Sequence, residues 1–225
     1  MILYLHGLNS AGTSDANPMD GQVPSGHGCP GSAKAAVLRE RLAPIPVLSP
    51  TYPAHQPVQA VERLSRELET HTREALRDNQ PLLLVGSSMG GFYGQYLARR
   101  FPLDHLVMIN PALRPWELLR QVVGWQYNQA LNERYYLSEE MVAATRRFAI
   151  EDVADGIPTT LLLDQGDELI DWRIAAAIYA GSGDIHDYPG GSHGFEHMDE
   201  AVGLIHSIHA RLGQAHESLA RKFHP

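Results

Sequence analysis

A single cysteine, Cys29, stands in the 225 residues of this chain, which excludes an internal disulfide and fits a reducing compartment. Positive charge is also scarce. There are 18 Lys and Arg against 26 Asp and Glu, a formal net charge of −8. The arginines fall singly or in short pairs such as Arg99-Arg100 and Arg146-Arg147, without forming a stripe. That balance argues against a nucleic-acid partner and against an anionic membrane surface. Long apolar runs are missing as well: none approaches the ~18 residues of a membrane span. The opening Met1-Ile2-Leu3-Tyr4-Leu5 is too short for a signal-peptide core and has no basic stretch before it. With neither an internal repeat nor a linker in view, the expectation is one cytoplasmic domain over residues 1–212, followed by a polar tail over 213–225.

What is present is a rhythm of short apolar strands and helices. Strands are expected at Ile2–Leu5, Val47–Leu48, Pro81–Val85, His105–Ile109, Thr159–Leu163 and Ile185–Tyr188. Between them the spacing predicts helices over about 32–42, 57–77, 92–100, 172–179 and 198–212. The longest places Val58, Val61, Leu64, Leu68 and Ala75 on one face and pairs Glu62 with Arg66 and Glu69 with Arg73. Six strands alternating with helices imply an α/β fold, a doubly wound, mostly parallel six-stranded sheet.

Two stretches break the rhythm. Residues 9–31 are poor in large apolar groups, and a loop of that length is expected to be functional or mobile. Its His27 and Cys29 fall short of a metal-binding pattern. Residues 112–153 hold Trp116, Trp125, Tyr127, Tyr135, Tyr136 and Phe148. Two short helical pieces are expected there, one from Trp116 to Val123 and one capped by Ser138. Their aromatic density suits a small helical lid over a site.

The stretch that carries chemistry is Gly86-Ser87-Ser88-Met89-Gly90. An apolar strand precedes it and a helix follows, the context of a nucleophile elbow with Ser88 as nucleophile. Glycines two residues to either side remove side chains that would collide at so sharp a turn. A serine needs an imidazole to take its proton, and the imidazole needs a carboxylate to orient it. The order Ser, acid, His is met here. His193 lies in a glycine-flanked loop after the sixth strand. The acid is one of Asp164, Asp167, Glu168 and Asp171 after the fifth. Asp167 is favoured for its freedom to reach the histidine loop, Asp164 could brace the turn, and Asp171 reads as a helix N-cap. His197 is expected at a helix start, and His206 with His209 on a solvated helix face. An oxyanion would be held by the amide of Met89 and by that of Leu8, or else Asn9, in the loop after the first strand. His6 is expected to shape that loop.

The pieces Tyr4-Leu5-His6-Gly7-Leu8-Asn9-Ser10, Gly31-Ser32-Ala33-Lys34-Ala35, Gly86 to Tyr93, Asn110-Pro111-Ala112, Gly166-Asp167-Glu168 with Asp171-Trp172-Arg173, and Gly190 to Phe195 occur in this order over nearly the whole chain. The sequence thereby resembles the YqiA/YcfP-like esterases, a compact branch of the α/β-hydrolase superfamily. The resemblance implies a minimal α/β-hydrolase fold and a carboxylic-ester hydrolase without cofactor or metal. Its substrates would be small-molecule acyl esters or thioesters, and its triad, by motif position, Ser88, Asp167 and His193. A longer loop between Ala11 and Pro30 and an extended tail set this chain apart. A silent scaffold, or a triad enzyme acting on peptide or carbon–carbon bonds, is the alternative.

Overall fold

A computed structural model describes residues 1–12, 32–154 and 156–223, the last two of these by backbone only. His27 and Cys29, which fall short of a metal-binding pattern, lie outside the described residues.

Six strands form one parallel sheet: β1 (Ile2–Leu5), β2 (Val47–Leu48), β3 (Leu83–Ser87), β4 (His105–Ile109), β7 (Thr159–Asp164) and β8 (Asp184–Tyr188), in the order β2-β1-β3-β4-β7-β8. The four inner strands are buried at every position. Their near-continuous apolar character follows from a sheet that carries helices on both faces.

On one face lie α2 (Pro57–Arg77), α3 (Met89–Leu97) and α6 (Trp172–Ile178), packed through Leu64, Leu68, Phe92, Tyr93 and Ala175. On the other lie α1 (Ala33–Arg41) and α7 (Met198–Phe223), which bury Leu38, Ala201, Val202, Ile205 and Ile208. Each large aliphatic side chain removed from water in this way contributes about 1.5–3 kcal/mol before entropy is counted. In α2 the buried row runs through Ala60, Leu64, Leu68, Thr72 and Ala75, with Val58 and Val61 only flanking it. Thr72 is accommodated because its hydroxyl donates to the Leu68 carbonyl, 2.6 Å away.

Between β4 and β7 the chain departs from the expected pair of helices. Short helices α4 (Pro115–Leu119) and α5 (Glu139–Thr145) are present, the second capped by the Ser138 hydroxyl accepting from the Met141 amide. Between them, however, lies an antiparallel hairpin of β5 (Gly124–Asn128) and β6 (Glu133–Leu137). Its strands are aromatic on the outward face as well as the inward one, so they show no polar alternation. Trp125 and Tyr136 pair across the exposed face, ring centroids 5.6 Å apart.

Helix α7 also outruns the expected stop at Leu212 and carries the polar stretch after it as helix to Phe223. Asp104 holds His216 at 2.8 Å, and Glu217 pairs with Arg221 one turn later at 3.4 Å. A single Gly213 in a helix costs only about 1 kcal/mol against alanine, which such contacts help to offset. His209 on the same helix is not solvated. Its Nε2 lies 3.0 Å from the Met1 amine, which also donates to the Pro81 carbonyl at 2.7 Å. Among the described residues, no helix is long and apolar enough to cross a membrane.

Candidate active site

Parallel strands deliver their carboxyl ends to one edge of the sheet, and four of the loops named from the sequence start there. The β3 register places Gly86 beside Leu5 of β1 and Ser87 beside Ile109 of β4. Asp164 ends β7 opposite Tyr188, the last residue of β8.

Ser88 stands at the junction of β3 and α3 with φ 56° and ψ −120°. A serine with positive φ is strained, and such strain survives only where the surroundings over-determine the backbone. Here the Ser88 amide donates to the Ile109 carbonyl at 3.1 Å, and the Ser88 carbonyl accepts from Gly91, Phe92 and Ala112. A methyl group on Gly90 would overlap the Leu5 carbonyl, and one on Gly86 would overlap Gly90 itself.

The loop after β1 comes directly against the serine. A Cβ on Gly7 would sit 3.1 Å from Ser88 Cβ and 3.5 Å from its Oγ. His6 shapes this loop as expected. Its Nε2 accepts from the Tyr52 amide at 3.3 Å, and its Nδ1 donates to the Gly7 carbonyl at 2.8 Å. Tyr52 stacks on the ring at 4.2 Å and donates its hydroxyl to the His6 carbonyl. Burial holds His6 neutral, with its pKa lowered to about 4. Asn9, at φ 53°, accepts from the Tyr135 hydroxyl at 2.7 Å, and Asn128 donates to the Ser10 carbonyl at 3.2 Å. The β5–β6 hairpin thus holds the outer end of the same loop.

At the other side of the edge, Asp167 and His193 meet. Asp167 Oδ2 accepts from His193 Nδ1 at 2.9 Å, and the carboxylate is 1% exposed. Its second oxygen accepts from the amides of Leu169 and Ile170, both at 2.9 Å, which fixes the group in its turn. Glu168 takes the His193 amide at 3.0 Å, and that bond draws its pKa below the usual carboxylate value. Asp171 caps α6 by accepting from the Arg173 amide. The four acids after β7 therefore have four separate tasks.

Asp164 has the largest one. Its fully buried carboxylate accepts from His197 Nδ1 at 2.6 Å, from Glu196 N at 2.8 Å and from Ser192 N at 3.2 Å. The bracing role expected of Asp164 is present. His197 stands at the start of α7 as expected, its carbonyl accepting from the Ala201 amide, and its imidazole is in addition paired with Asp164 and stacked on Tyr188 at 4.6 Å. Two further residues tie the histidine loop down. Asn110, at φ 42° just past β4, donates to the Ser192 carbonyl at 3.0 Å and accepts the Asp164 amide at 2.8 Å. Lys34 of α1 donates to the Gly194 carbonyl at 2.9 Å. Burial lowers the Lys34 pKa, while the charges of Asp167 and Asp164 oppose that shift. The sequence signal for Asn110 was its place directly after a strand, and Lys34 fell within the Gly31–Ala35 piece of the resemblance; nothing local in the sequence marked what Lys34 or His197 would bind.

A family model described as an uncharacterised protein family, UPF0227, matches residues 26–209. The chain belongs to this family, the YqiA/YcfP-like group that its motifs resemble. In shape it is similar to Est1E from Butyrivibrio proteoclasticus, with a TM-score of 0.65 at 15% identity over 94% of this chain and 87% of that one. The esterase domain of a Rhodothermus marinus protein gives 0.62 at 16% identity, over 95% and 86% of the two chains. A monoacylglycerol lipase from Paleococcus ferrophilus gives 0.61 at 16% identity, over 92% and 94%. Identities this low speak to the fold, which is that of the α/β-hydrolases. Among the described residues no three His, Cys, Asp or Glu side chains gather as metal ligands would.

Proposed function

We propose that this protein is a serine hydrolase that cleaves carboxylic esters or thioesters through an acyl-enzyme on Ser88. The observation that carries the reading is the Asp167–His193 hydrogen bond, formed across 26 residues at the strand edge from which Ser88 emerges. With Nδ1 engaged by the carboxylate, Nε2 is the nitrogen left to exchange a proton. A buried aspartate in that position stabilises the imidazolium that forms when the proton arrives.

The reaction divides into two steps. Ser88 Oγ attacks the acyl carbonyl while His193 Nε2 takes the hydroxyl proton. The oxyanion so formed is held by amide N–H groups, for which Met89 and Leu8 are the candidates. Met89 is the first residue of α3, so its amide has no acceptor within the helix and lies at the positive end of the helix dipole. Leu8 follows the glycine that abuts Ser88. Collapse expels the alcohol or thiol, which collects the proton from His193. Water then repeats the sequence on the acyl-enzyme and frees the acid. The segment over 112–153 serves as a lid, and it does so through the β5–β6 hairpin as much as through its helices.

Esterase and lipase neighbours of the same fold support this bond type over peptide or carbon–carbon cleavage. The test is hydrolysis of a short-chain nitrophenyl ester by the wild type and by Ser88→Ala, with fluorophosphonate labelling read by mass. A loss of about 10⁴-fold or more in kcat, together with labelling confined to Ser88, is expected. Equal rates in the two proteins would return the chain to a non-catalytic scaffold.

A further inference from the structure

Beside the oxyanion loop lies a cleft of about 240 Å³, lined by Asn9, Tyr52, His55 and Gln56 together with Glu133 and Tyr135 of β6. Its place is set by contacts already described. Asn9 is two residues from the glycine that touches Ser88, and it binds the Tyr135 hydroxyl. Tyr52 clasps His6 of the same loop. A group attached to an ester carbonyl held at Ser88 would have this cleft as its neighbour.

The chemistry of the walls is selective. The volume of about 240 Å³ is below the ~300–1,000 Å³ usual for drug-sized ligands, which favours a small group. Neither arginine nor lysine is among the described lining residues, and Glu133 supplies the one carboxylate. Glu133 forms no ion pair with any described residue, although its charge reaches His55. His55 stacks face to face on Tyr135 at 3.8 Å. Burial lowers the pKa of His55, which keeps the ring from supplying a competing positive charge. Gln56 Nε2 lies 3.1 Å from His55 Nε2, so that nitrogen accepts and is not available to a ligand's own donor. An unneutralised carboxylate facing aromatic rings in a small cleft is the arrangement that holds organic cations.

We infer that this cleft is a substrate subsite for a small organic cation, an ammonium or trimethylammonium group carried by the ester, with Glu133 as its counter-charge and the His55–Tyr135 pair as its wall. The inference rests on the hydrolase reading, since it concerns which ester Ser88 receives. Esters of comparable size that carry a carboxylate or a neutral alkyl group are the poorer substrates.

Matched pairs test it on the full-length protein. On the alcohol side, choline acetate is compared with its neutral isostere 3,3-dimethylbutyl acetate. On the acyl side, a betaine ester is compared with the 3,3-dimethylbutanoate ester of the same alcohol. In one of the two pairs, once the ratio is divided by that for uncatalysed hydrolysis of the same two esters, the cation is expected to win in kcat/KM by roughly three- to tenfold, the scale of one partly exposed charge contact. That ratio shrinks as salt is raised, because the contact is screened. It falls to about one in Glu133→Gln and inverts in Glu133→Lys. Being a ratio within one protein, it is insensitive to loss of folded material. Fluorophosphonate labelling of Ser88 is run alongside. Normal labelling with both pairs equal, or with a cation preference that survives Glu133→Gln, overturns the subsite alone. Failure to label Ser88 in a folded protein overturns the hydrolase reading beneath it.

Discussion

Asp164 and His197 form a carboxylate–imidazole pair at 2.6 Å, only a few residues in sequence from the Asp167–His193 pair at 2.9 Å. Both link the β7 loop to the loop after β8, yet their surroundings differ. Asp164 is fully buried and gathers two backbone amides of the histidine loop besides the imidazole, whereas Asp167 is held by the amides of its own turn. The first pair fastens the loop, and the second is the one to which the proposed function gives the chemistry.

The division of labour makes two asparagine variants behave oppositely. Asp164→Asn trades a carboxylate that accepts three hydrogen bonds for an amide with one accepting oxygen, and should cost about 2–4 kcal/mol of stability. Asp167→Asn should leave the melting temperature within a few degrees while lowering kcat by about 10⁴-fold, because the imidazole loses its orienting acceptor. Thermal denaturation and ester turnover on both variants check the pair; equal effects on both readouts would erase the distinction.

Glycines at the elbow separate in the same manner. A methyl at Gly90 meets the Leu5 carbonyl, backbone that cannot move without parting β1 from α3. Gly90→Ala is therefore expected to cost several kcal/mol or to prevent folding. At Gly7 the methyl would meet Ser88 Cβ at 3.1 Å, a contact relieved by a shift of a few tenths of an ångström. Gly7→Ala should fold, melt close to wild type, and lose roughly 10- to 100-fold in kcat through displacement of the serine or the neighbouring donor.

Much of this was legible beforehand for one reason: chemistry here follows strand ends, and strand ends are short apolar runs closed by Gly, Asn or Asp. β3, β7 and β8 end close to where their apolar runs stop, and Ser88, Asp167 and His193 follow them in turn. What stayed hidden lacks a local signal. The hairpin of β5 and β6 carries Trp125, Tyr127 and Tyr136 on its exposed face, so alternation in burial is not alternation in polarity. His197 looked like a surface residue because its partner lies 33 positions away. The continuation of α7 depends on Asp104, which no pattern within the helix itself reveals.

Acid should weaken the fold through His6. Its pKa is about 4 in the folded protein against 6.5 in the unfolded chain, a depressed value caused by burial. Between these two pH values the unfolded chain takes up a proton that the folded one refuses. The stability contributed is thus full above pH ~6.5 and lost as pH falls toward 4, about 3 kcal/mol in all. Denaturant midpoints from pH 7.5 to 4 measure the slope, and His6→Phe should reduce it to the share of His105 and His209, whose pKa values burial also lowers to about 4, while lowering the pH 7.5 value, since the Tyr52 amide loses its acceptor.

Tyr135→Phe removes the hydroxyl that holds Asn9 while keeping the ring stacked on His55. Looser positioning of the β1 loop is expected to lower kcat by about three- to tenfold, with KM for a small neutral ester nearly unchanged. A change confined to KM would assign the hydroxyl to substrate binding.

The central claim is a covalent one: the acyl group resides on Ser88 between the two halves of the reaction. Rapid acid quench of the wild type turning over a slow-deacylating ester, followed by peptide mass mapping, observes it directly. The account predicts an adduct equal to the acyl mass, confined to the peptide containing Ser88 and absent from Ser88→Ala. Turnover without any such adduct, or an adduct on another residue, would contradict it.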